Sequence, residues 1–374
     1  MNEAKAKKLT LVLHNTIINM YKIERRKTRT VKIGKIKIGS GHPVAVQSMV
    51  KVRAQNVAKS VEEIRKLEIA GCDIVRIAVE DEKDARALKD IKKRINIPLV
   101  ADIHFDHRLA LLAAEAGVDK IRLNPGNIYR VHEVRAVIAA AKNARIPIRI
   151  GANSGSLRIR SRDAAGALVA SVVDYLKIFK KARFKDIVIS LKGSDITDTI
   201  TAYEKMASLC GYPLHVGMTA TGLPLDGIVK SSVGIGILLF RGIGDTIRIS
   251  LLDEPRQEVA VAKFLLNSLG LRNFGPELIC CPACGRCEVD LLKKAQRFQE
   301  WLDKLPGAQS SKLKNLRIAL MGCVVNGPGE AREADLGIAF SRHKGVLFKK
   351  GKIVGTVSLG RGEETLFAIL KKGL

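Results

Sequence analysis

The sequence predicts an α/β protein in which a (β/α)8 barrel of the TIM type is followed by a small α/β domain. Three observations predict this architecture: eight short β-branched runs between residues 43 and 251, helix-period segments between them, and a change of pattern after about residue 270. Strands that alternate with helices favour parallel pairing, and eight such units close into a barrel. The 374 residues are enough for two domains with a large core.

The eight predicted strands follow one another through the first two thirds of the chain. They are PVAVQSM (43–49), IVRIAV (74–79), PLVADIHF (98–105), KIRLNPG (120–126), IPIRIGANSGS (146–156), DIVISLKGSD (186–195), LHVGMTATG (214–222) and DTIRISL (245–251). Their nearly continuous apolar residues are typical of parallel strands that are buried on both faces. Intervening segments such as VAKSVEEIRKLEIAG, EKDARALKDIKKR and HRLALLAAEAG have the apolar spacing of amphipathic helices. We therefore place the barrel at residues 26–270.

The predicted second domain covers residues 271–374. Strand-like RIALMGC (317–323), LGIAF (336–340) and KIVGTVS (352–358) alternate there with helices predicted at 289–304 and 363–372. Residues 1–25 precede the barrel, and their LTLVLHNTIINMY stretch is too polar for the core of a secretory signal. We expect these 25 residues to be a disordered extension.

The formal net charge of +27 limits which kinds of partner the chain is expected to bind. Such a charge first suggests nucleic acid or an anionic surface. Aromatic residues make up only 4% of the chain, however, which leaves few platforms on which bases can stack. No apolar run reaches the ~18 residues of a membrane span. We therefore expect neither a nucleic acid nor a membrane as partner, and we assign part of the charge to an anion-binding site.

In barrels of this type the active site lies at the C-terminal ends of the strands. The predicted strand ends carry Gln47, Arg76, Asp102, His104, Arg122, Asn124, Arg149, Asn153, Lys192, His215 and Arg248. Five of these side chains are permanent cations from five strands, and they would repel one another unless an anion lay between them. Arginine matches phosphate oxygens with two hydrogen bonds, so a diphosphate is expected. Backbone donors are expected from Gly126, Asn127 and Ser154–Ser156, and from Lys230 and Ser231 at a predicted helix start.

Two short segments of the second domain predict an iron–sulfur site. CPACGRC (281–287) contains Cys281 and Cys284, and MGCVVNGPGE (321–330) contains Cys323 and Glu330. Three thiolates and one carboxylate suit a [4Fe–4S] cluster in which one iron is weakly held and open to substrate oxygen. A structural zinc ion more often has a fourth cysteine or a histidine.

Other cysteine patterns overlap this one. Cys280, Cys284 and Cys287 have the C-x3-C-x2-C spacing of radical-SAM clusters, although that motif normally lies near the start of its barrel. Cys281, Cys284 and Cys287 have the C-x2-C-x2-C spacing of ferredoxins, so Cys287 competes with Glu330 as fourth ligand.

The cysteine content also bears on the compartment. Cys72 and Cys210 are interpreted as small buried apolar residues. Seven cysteines without an export signal argue against a disulfide framework and favour a reducing, cytoplasmic location.

The two cysteine segments resemble the iron–sulfur domain of the 4-hydroxy-3-methylbut-2-enyl diphosphate synthase family. The resemblance continues through RKTRTVKIG, PVAVQSM, LVADIHFD, IRLNPGNI, IRIGANSGSL, VKSSVGIGILL and GDTIRISL, and so covers roughly residues 26–374. It implies that Cys281, Cys284, Cys323 and Glu330 hold a [4Fe–4S] cluster, with Glu330 leaving its iron when substrate arrives. It also implies that positions 280 and 287 are not ligands.

The resemblance further implies a reaction. Members of the family reductively open 2-C-methyl-D-erythritol 2,4-cyclodiphosphate and remove a hydroxyl group, which gives 4-hydroxy-3-methylbut-2-enyl diphosphate. Electrons are expected from ferredoxin or flavodoxin, whose acidic surfaces a basic protein attracts. A head-to-tail homodimer is implied as well, in which the cluster domain of one subunit covers the barrel mouth of the other.

The sequence departs from the family pattern at three places. Where the family has G-I-T-E-A-G, this chain has GMTATG (217–222), so that Ala220 replaces a glutamate that could move a proton. The threonine-rich loop after Q-S-M is VKVRAQN (50–56) here, and Leu225 and Asp226 replace a basic residue and a serine. Lowered turnover is one expected consequence. Two alternatives from other classes are an RNA-binding protein with a structural zinc clip and a radical-SAM enzyme.

Overall fold

The computed structural model describes residues 23–157, 161–193, 195–219, 222–305, 312–325, 329 and 331–372. The chain divides into two compact units, of which the first ends at Arg272 and the second begins at Asn273. No helix within the described ranges is long and apolar enough to cross a membrane. Most of the expected N-terminal extension lies outside these ranges, but Arg25 is described and pairs with Asp245 at 2.9 Å.

A short antiparallel hairpin precedes the barrel and was not predicted. It consists of β1 (Val31–Ile33) and β2 (Ile36–Ile38). Its buried side chains Val31, Ile33 and Ile38 share one apolar cluster with the first or second residues of four barrel strands, Ala45, Ile74, Val100 and Val188. The hairpin therefore covers the N-terminal end of the barrel.

The first unit is built around eight parallel strands. They are β3 (Ala45–Met49), β4 (Ile74–Val79), β5 (Leu99–Ile103), β6 (Lys120–Leu123), β7 (Ile148–Asn153), β8 (Ile187–Lys192), β9 (His215–Val216) and β10 (Thr246–Ile247). They pair in the order β8-β7-β6-β5-β4-β3-β10-β9. A parallel bridge between Ile189 and Leu214 joins the two ends of this order. The predicted (β/α)8 barrel is confirmed.

Helices connect the strands around the outside of the barrel. They are α1 (Val57–Ala70), α2 (Glu82–Lys92), α3 (His107–Glu115), α4 (Val131–Ala144), α5 (Ala164–Lys181), α6 (Ile196–Leu209), α7 (Pro224–Phe240) and α8 (Pro255–Ser268). Aspartates accept a hydrogen bond from the first turn of four of them, namely Asp81, Asp106, Asp163 and Asp195. These caps explain where the chain changes from extended to helical conformation, because they satisfy backbone N–H groups that have no partner within the helix.

The last two barrel strands are shorter than predicted. Among the described residues of the segments 214–222 and 245–251, the strands span only two residues each, and Leu214 adds a single bridge. Arg248 N still donates to Val216 O at 3.0 Å, but Leu251 N donates to the side chain of Glu258 at 3.3 Å. The backbone leaves the sheet there because a buried carboxylate, which propensity cannot reveal, replaces the strand partner.

Among its described residues, the second unit has a five-stranded sheet and two long helices. Its strands are β11 (Glu277–Cys280), β12 (Arg317–Met321), β13 (Leu336–Phe340), β14 (Lys344–Lys349) and β15 (Lys352–Ser358), paired in chain order. The first three are parallel, and the last two add antiparallel strands. Helices α9 (Leu291–Asp303) and α10 (Gly362–Lys372) pack through Phe298, Trp301 and Phe367, with the Trp301 and Phe367 ring centroids 4.5 Å apart. β11 and β14 were not predicted.

Candidate active site in the barrel and cysteine loops

Buried cations from four of the strands line the barrel interior. Arg76 lies on β4, Arg122 on β6, Arg149 on β7 and Lys192 at the end of β8, and all four are buried. Register places Arg122 directly beside Arg149, and Asp102 of β5 directly beside Arg122. Since parallel strands bring equivalent residues to the same height in a barrel, these side chains converge on its interior.

Asp102 is the carboxylate at the centre of this group. Its Oδ1 accepts a hydrogen bond from Arg122 Nη1 at 2.9 Å, and its Oδ2 lies 3.6 Å from Arg76 Nε and 3.6 Å from His104 Nε2. Burial alone would raise the pKa of Asp102, but Arg76 and Arg122 hold it well below its usual range. Asp102 therefore remains ionised and orients two arginines.

Arg122 depends on a glycine beside it. Its Nη2 donates to Gly151 O at 3.0 Å, and a Cβ atom at position 151 would lie 2.7 Å from Arg122 Nε. Only glycine leaves room for the guanidinium. Arg122 Nε has no hydrogen-bond partner among the described residues, and neither have Arg149 Nε and Nη1. These buried donors are free to bind a ligand inside the barrel.

Arg248, which follows β10, is held by Glu258 of α8. Nη2 of Arg248 lies 3.0 Å from Glu258 Oε1, and Nε lies 3.3 Å from Oε2. Ser48 Oγ donates to the same carboxylate at 2.9 Å. Glu258 is buried although it lies on an outer helix, because its side chain reaches into the barrel to meet Arg248.

The barrel interior contains more positive than negative charge. Its buried cations are Arg76, Lys120, Arg122, Arg149 and Lys192, against the buried carboxylates Asp102 and Glu258 among the described residues. Burial, aided by Arg248 and Arg122, lowers the pKa of Arg76 to about 10 against the attraction of Asp102. Burial and the surrounding arginines also lower the pKa of Lys192 well below its usual range. Because each further cation raises the repulsion, the interior favours a multiply charged anion.

Beneath these cations lie Lys120, Gln47 and His215. Lys120 Nζ is 3.4 Å from Gln47 Oε1, and His215 Nδ1 is 2.7 Å from Thr246 Oγ1. Burial first, and then Arg149, lowers the pKa of both Lys120 and His215 well below the usual range. His215 is therefore neutral in the free protein, and its Nε2 has no partner among the described residues.

The asparagines of the predicted site stabilise the loops. Asn124 Nδ2 donates to Ser156 Oγ at 2.9 Å, and Ser156 Oγ donates to Asn153 O at 3.1 Å. Gly126 N donates to Asn124 Oδ1 and Asn127 N donates to Asn124 O, both at 3.0 Å. The expectation that the last two N–H groups bind an anion is therefore wrong, since the turn itself uses them.

Lys230 and Ser231 do not lie at the start of a helix as predicted. Helix α7 begins at Pro224, so both residues are inside it. Lys230 is exposed, whereas Ser231 is buried and its Oγ has no partner among the described residues. The helix-terminus argument for an anion at these two residues is wrong, because Pro at the first position starts the helix earlier.

In the second unit, Cys281 and Cys323 follow two adjacent parallel strands. Cys280 pairs in register with Leu320, so the chain leaves β11 and β12 at the same edge of the sheet. Gly322 N donates to Cys281 Sγ at 3.3 Å. A side chain at position 322 would collide with Cys287 Sγ, so glycine is needed for this close approach.

The cysteine loop from 281 to 287 is mostly exposed. Cys284 is exposed, and the backbone N–H of Arg286, helped by its guanidinium, lowers the pKa of the Cys284 thiol. Cys287 is half-buried and its Sγ donates to Val289 O at 3.2 Å. Glu330, the proposed fourth ligand, lies outside the described residues, as does Ala220.

These loops fit an iron–sulfur group by donor type. Thiolates are the ligands such clusters take, and an N–H···S hydrogen bond like that from Gly322 is a common way to tune them. Within the described part of the chain, no three His, Cys, Asp or Glu side chains are close enough together to hold a metal ion.

Both units match one protein family. The GcpE TIM-barrel domain matches residues 28–263, and the GcpE protein C-terminal domain matches residues 277–372. The chain belongs to the GcpE family. The resemblance that the sequence motifs indicated is confirmed.

Relatives of this GcpE chain have known names. A protein of Nitratidesulfovibrio vulgaris is 50% identical over 343 residues, which cover 90% of this chain and 87% of that protein. A protein of Bacillus cytotoxicus is 49% identical over 353 residues, which cover 93% of each. Both are named 4-hydroxy-3-methylbut-2-en-1-yl diphosphate synthase (flavodoxin). They support neither the RNA-binding nor the radical-SAM alternative.

Solved structures with a similar fold are dihydropteroate synthases. The enzyme of Stenotrophomonas maltophilia has a TM-score of 0.51 and 16% identity, and covers 64% of this chain and 98% of its own. That of Xanthomonas albilineans has a TM-score of 0.50 and 14% identity, and covers 65% and 98%. At this identity the likeness shows the barrel fold alone.

Sequence reasoning missed three residues of the GcpE barrel site. Glu258 holds Arg248, Lys120 lies beneath the arginines, and Met49 Sδ lies 2.9 Å from Arg76 Nη2. A signal for Glu258 was present, since it shares a helix face with Ala262 and Leu266 at four-residue spacing and a carboxylate in an apolar stripe needs a partner.

Proposed function

We propose that the chain is a 4-hydroxy-3-methylbut-2-enyl diphosphate synthase that opens and dehydroxylates 2-C-methyl-D-erythritol 2,4-cyclodiphosphate with the help of a [4Fe–4S] cluster. The observation that carries this proposal is the barrel interior, where five buried cations face two buried carboxylates among the described residues. A cyclic diphosphate supplies the negative charge that this interior lacks. The reaction consumes two electrons and two protons and releases one water molecule.

The barrel side chains would bind the diphosphate. Arg149 offers Nε and Nη1, and Arg122 offers Nε, as buried donors without other partners in the described chain. Lys192 and Arg248 add charge from β8 and from the end of β10. When the ring opens, the diphosphate gains charge as a leaving group, and cations already held in place stabilise it without reorganisation.

The second unit would hold the cluster. Cys281, Cys284 and Cys323 are its thiolate ligands in this proposal, and Glu330 is the exchangeable fourth ligand. When bound, such a cluster supplies electrons one at a time. The N–H of Gly322 stabilises the thiolate of Cys281.

The proposal includes an electron donor and a location. Flavodoxin is the donor named for the relatives, and ferredoxin is the second candidate. A protein with a net charge of +27 attracts such acidic carriers and speeds their encounter. We place the reaction in the cytoplasm, since none of the seven cysteines forms a disulfide.

A homodimer is the proposed assembly. Helix α7 exposes a row of large apolar side chains at helical spacing, namely Leu225, Val229, Val233, Ile237 and Phe240. A contiguous apolar face of this kind marks a protein contact. In the head-to-tail arrangement the cluster unit of one subunit completes the barrel site of the other.

Anaerobic purification followed by turnover tests the proposal. We expect about four irons per chain with matching sulfide, and formation of the linear diphosphate with reduced flavodoxin. Zinc in place of iron, or an iron-loaded protein that leaves the cyclodiphosphate intact, would refute it.

Mixing two impaired variants, at a substrate concentration low enough that neither alone has appreciable activity, tests the head-to-tail arrangement. Arg149→Ala chains keep the cluster unit and Cys281→Ser chains keep the barrel site. Random exchange makes half of the dimers mixed, each with one intact site, so about a quarter of the native activity should return. A site formed within one chain would return none.

A further inference from the structure

A second concave site lies at the N-terminal end of the barrel. The cavity has a volume of about 660 Å³ and is lined by the loops that lead into β7 and β8, together with Arg29 and Tyr212. None of the barrel cations described above lines this cavity, so the two sites are separate. This volume is within the range of small-molecule sites, about 300–1,000 Å³.

The lining of this cavity is strongly basic. It contains the cations Arg29, Lys142, Arg145, Lys180, Arg183 and Lys185, against one carboxylate, Asp186. Among the described residues, no carboxylate forms an ion pair with Arg145, Lys180, Arg183 or Lys185. These side chains are exposed, and an anion held between them lowers their mutual repulsion beyond what solvent screening does.

Two of the arginines have a backbone conformation that disfavours arginine. Arg145 has φ 54° and Arg183 has φ 53°, and they follow the last turns of α4 and α5. Glycine is the usual residue in this left-handed conformation, because a Cβ atom is unfavourable there. Only four non-glycine residues of the described chain have positive φ, and two of them line this cavity.

A simpler explanation is that these cations only stabilise helix C-termini. Lys142 does so, because its Nζ donates to Ala182 O after the end of α5. That explanation requires only one cation near each helix end. It gives no reason for arginine at two positions where the left-handed backbone favours glycine. It also gives no reason for Arg29, which comes from the segment before β1.

We propose that this cavity binds a diphosphate group, carried by a nucleotide or by a prenyl diphosphate. Several cations around one concavity match a group with several charged oxygens, and arginine binds such oxygens with two hydrogen bonds. RNA fits less well, because the cavity has one partly exposed aromatic ring, Tyr212, and the guanidinium of Arg29 lies over it at 5.9 Å. The inference does not rest on the proposed function.

Calorimetry of the cluster-loaded protein with inorganic pyrophosphate tests the proposal. We expect two pyrophosphates per chain, one in the barrel mouth and one in this cavity. The double variant R145G/R183G should lose the cavity event, with affinity at least about tenfold lower for each arginine removed. Arg149→Ala should weaken only the barrel event, and so identifies it.

The substitutions are chosen so that folding is not at risk. Glycine relieves the backbone at both positions, so R145G/R183G should melt at or above the native temperature. Lys350→Gly is the matched control, since Lys350 is also a cation in the left-handed conformation, φ 47°, but lies in the second unit. It should leave both pyrophosphate events unchanged.

The two sources of a diphosphate are then compared at the cavity. ADP bound at least tenfold more tightly than pyrophosphate would identify a nucleotide, and the same preference for geranyl diphosphate would identify a prenyl compound. If only one pyrophosphate binds per chain, and R145G/R183G binds it as the native protein does, the proposal is overturned. A second result would also overturn it: an RNA oligomer that binds tightly and in a salt-sensitive way, that no longer binds R145G/R183G, and that pyrophosphate does not displace.

Discussion

Asp102→Asn should have opposite effects on stability and on anion binding. The carboxylate lies 2.9 Å from Arg122 Nη1 and 3.6 Å from Arg76 Nε, and all three side chains are buried. Removing one partner of a buried ion pair costs about 3–5 kcal/mol. Asparagine can still accept from Arg122, so we expect the lower value, about 3 kcal/mol. At about 2–4 °C per kcal/mol, the melting temperature should fall by about 6–12 °C.

The same substitution should strengthen pyrophosphate binding at the barrel mouth. Asp102 repels an anion held by the same arginines, and removing one like charge at contact distance is worth about 1–4 kcal/mol. A tenfold gain in affinity adds about 1.4 kcal/mol of stabilisation at fixed ligand concentration. Saturating pyrophosphate should therefore raise the melting temperature of the variant by about 3–6 °C more than that of the native protein.

The pH dependence follows from the lowered pKa of Asp102. A carboxyl group with a depressed folded-state pKa contributes stability above its unfolded value, about 3.9, and loses it as the pH falls through the folded value. The native chain keeps this contribution throughout pH 5–8. The difference in melting temperature between the native protein and the Asp102→Asn variant should therefore be constant over that range.

Scanning fluorimetry with and without pyrophosphate measures both effects. Asp245→Asn is the matched control, because Asp245 is a buried carboxylate that pairs with Arg25 at the other end of the barrel. It should destabilise the protein without any additional rescue by pyrophosphate. An Asp102→Asn protein as stable as the native one, or rescued less than it, would refute the reasoning.

Three further outcomes are expected. Arg149→Ala should raise the apparent substrate constant at least about tenfold in steady-state assays and leave the visible spectrum of the cluster unchanged; an unchanged constant contradicts the site. Since burial lowers the pKa of His215, which is neutral in the free protein, and a bound anion raises it again, pyrophosphate binding should take up protons and weaken as pH rises; equal calorimetric heats in buffers of different ionisation enthalpy contradict this. Cys323→Ser should lose its iron by elemental analysis while Cys287→Ala keeps it, and the reverse pattern contradicts the ligand set.

The strands of the barrel were predictable wherever burial alone decides the sequence. IVRIAV (74–79), which is almost entirely buried, is a barrel strand over the residues expected, and so is LGIAF (336–340) in the second unit. The hairpin β1–β2 was not, because VKI and IKI alternate over only three residues each. The chain after β10 is held by a hydrogen bond from Leu251 N to Glu258, which local sequence does not encode.

The inward side chains of the site were predictable from strand periodicity, and their partners were not. Arg122 and Arg149 lie at equivalent positions of adjacent strands, so their convergence follows from the barrel. The contact between Arg248 and Glu258 joins residues ten positions apart across a loop and a helix turn. The hydrogen bond from Gly126 N to Asn124 Oδ1 forms only in a turn, and Asn124 itself stabilises that turn.

The position of Cys287 bears on the open question of the fourth ligand. Its Sγ donates a hydrogen bond to Val289 O at 3.2 Å, and a group that donates to a carbonyl carries its proton. A cluster ligand must be a thiolate, which would face that carbonyl with a negative charge. Cys287 packs with the apolar core of the second unit, as Cys281 also does, whereas Cys284 is exposed. Coordination by Cys287 would break its hydrogen bond to Val289, which argues against Cys287 as the fourth ligand.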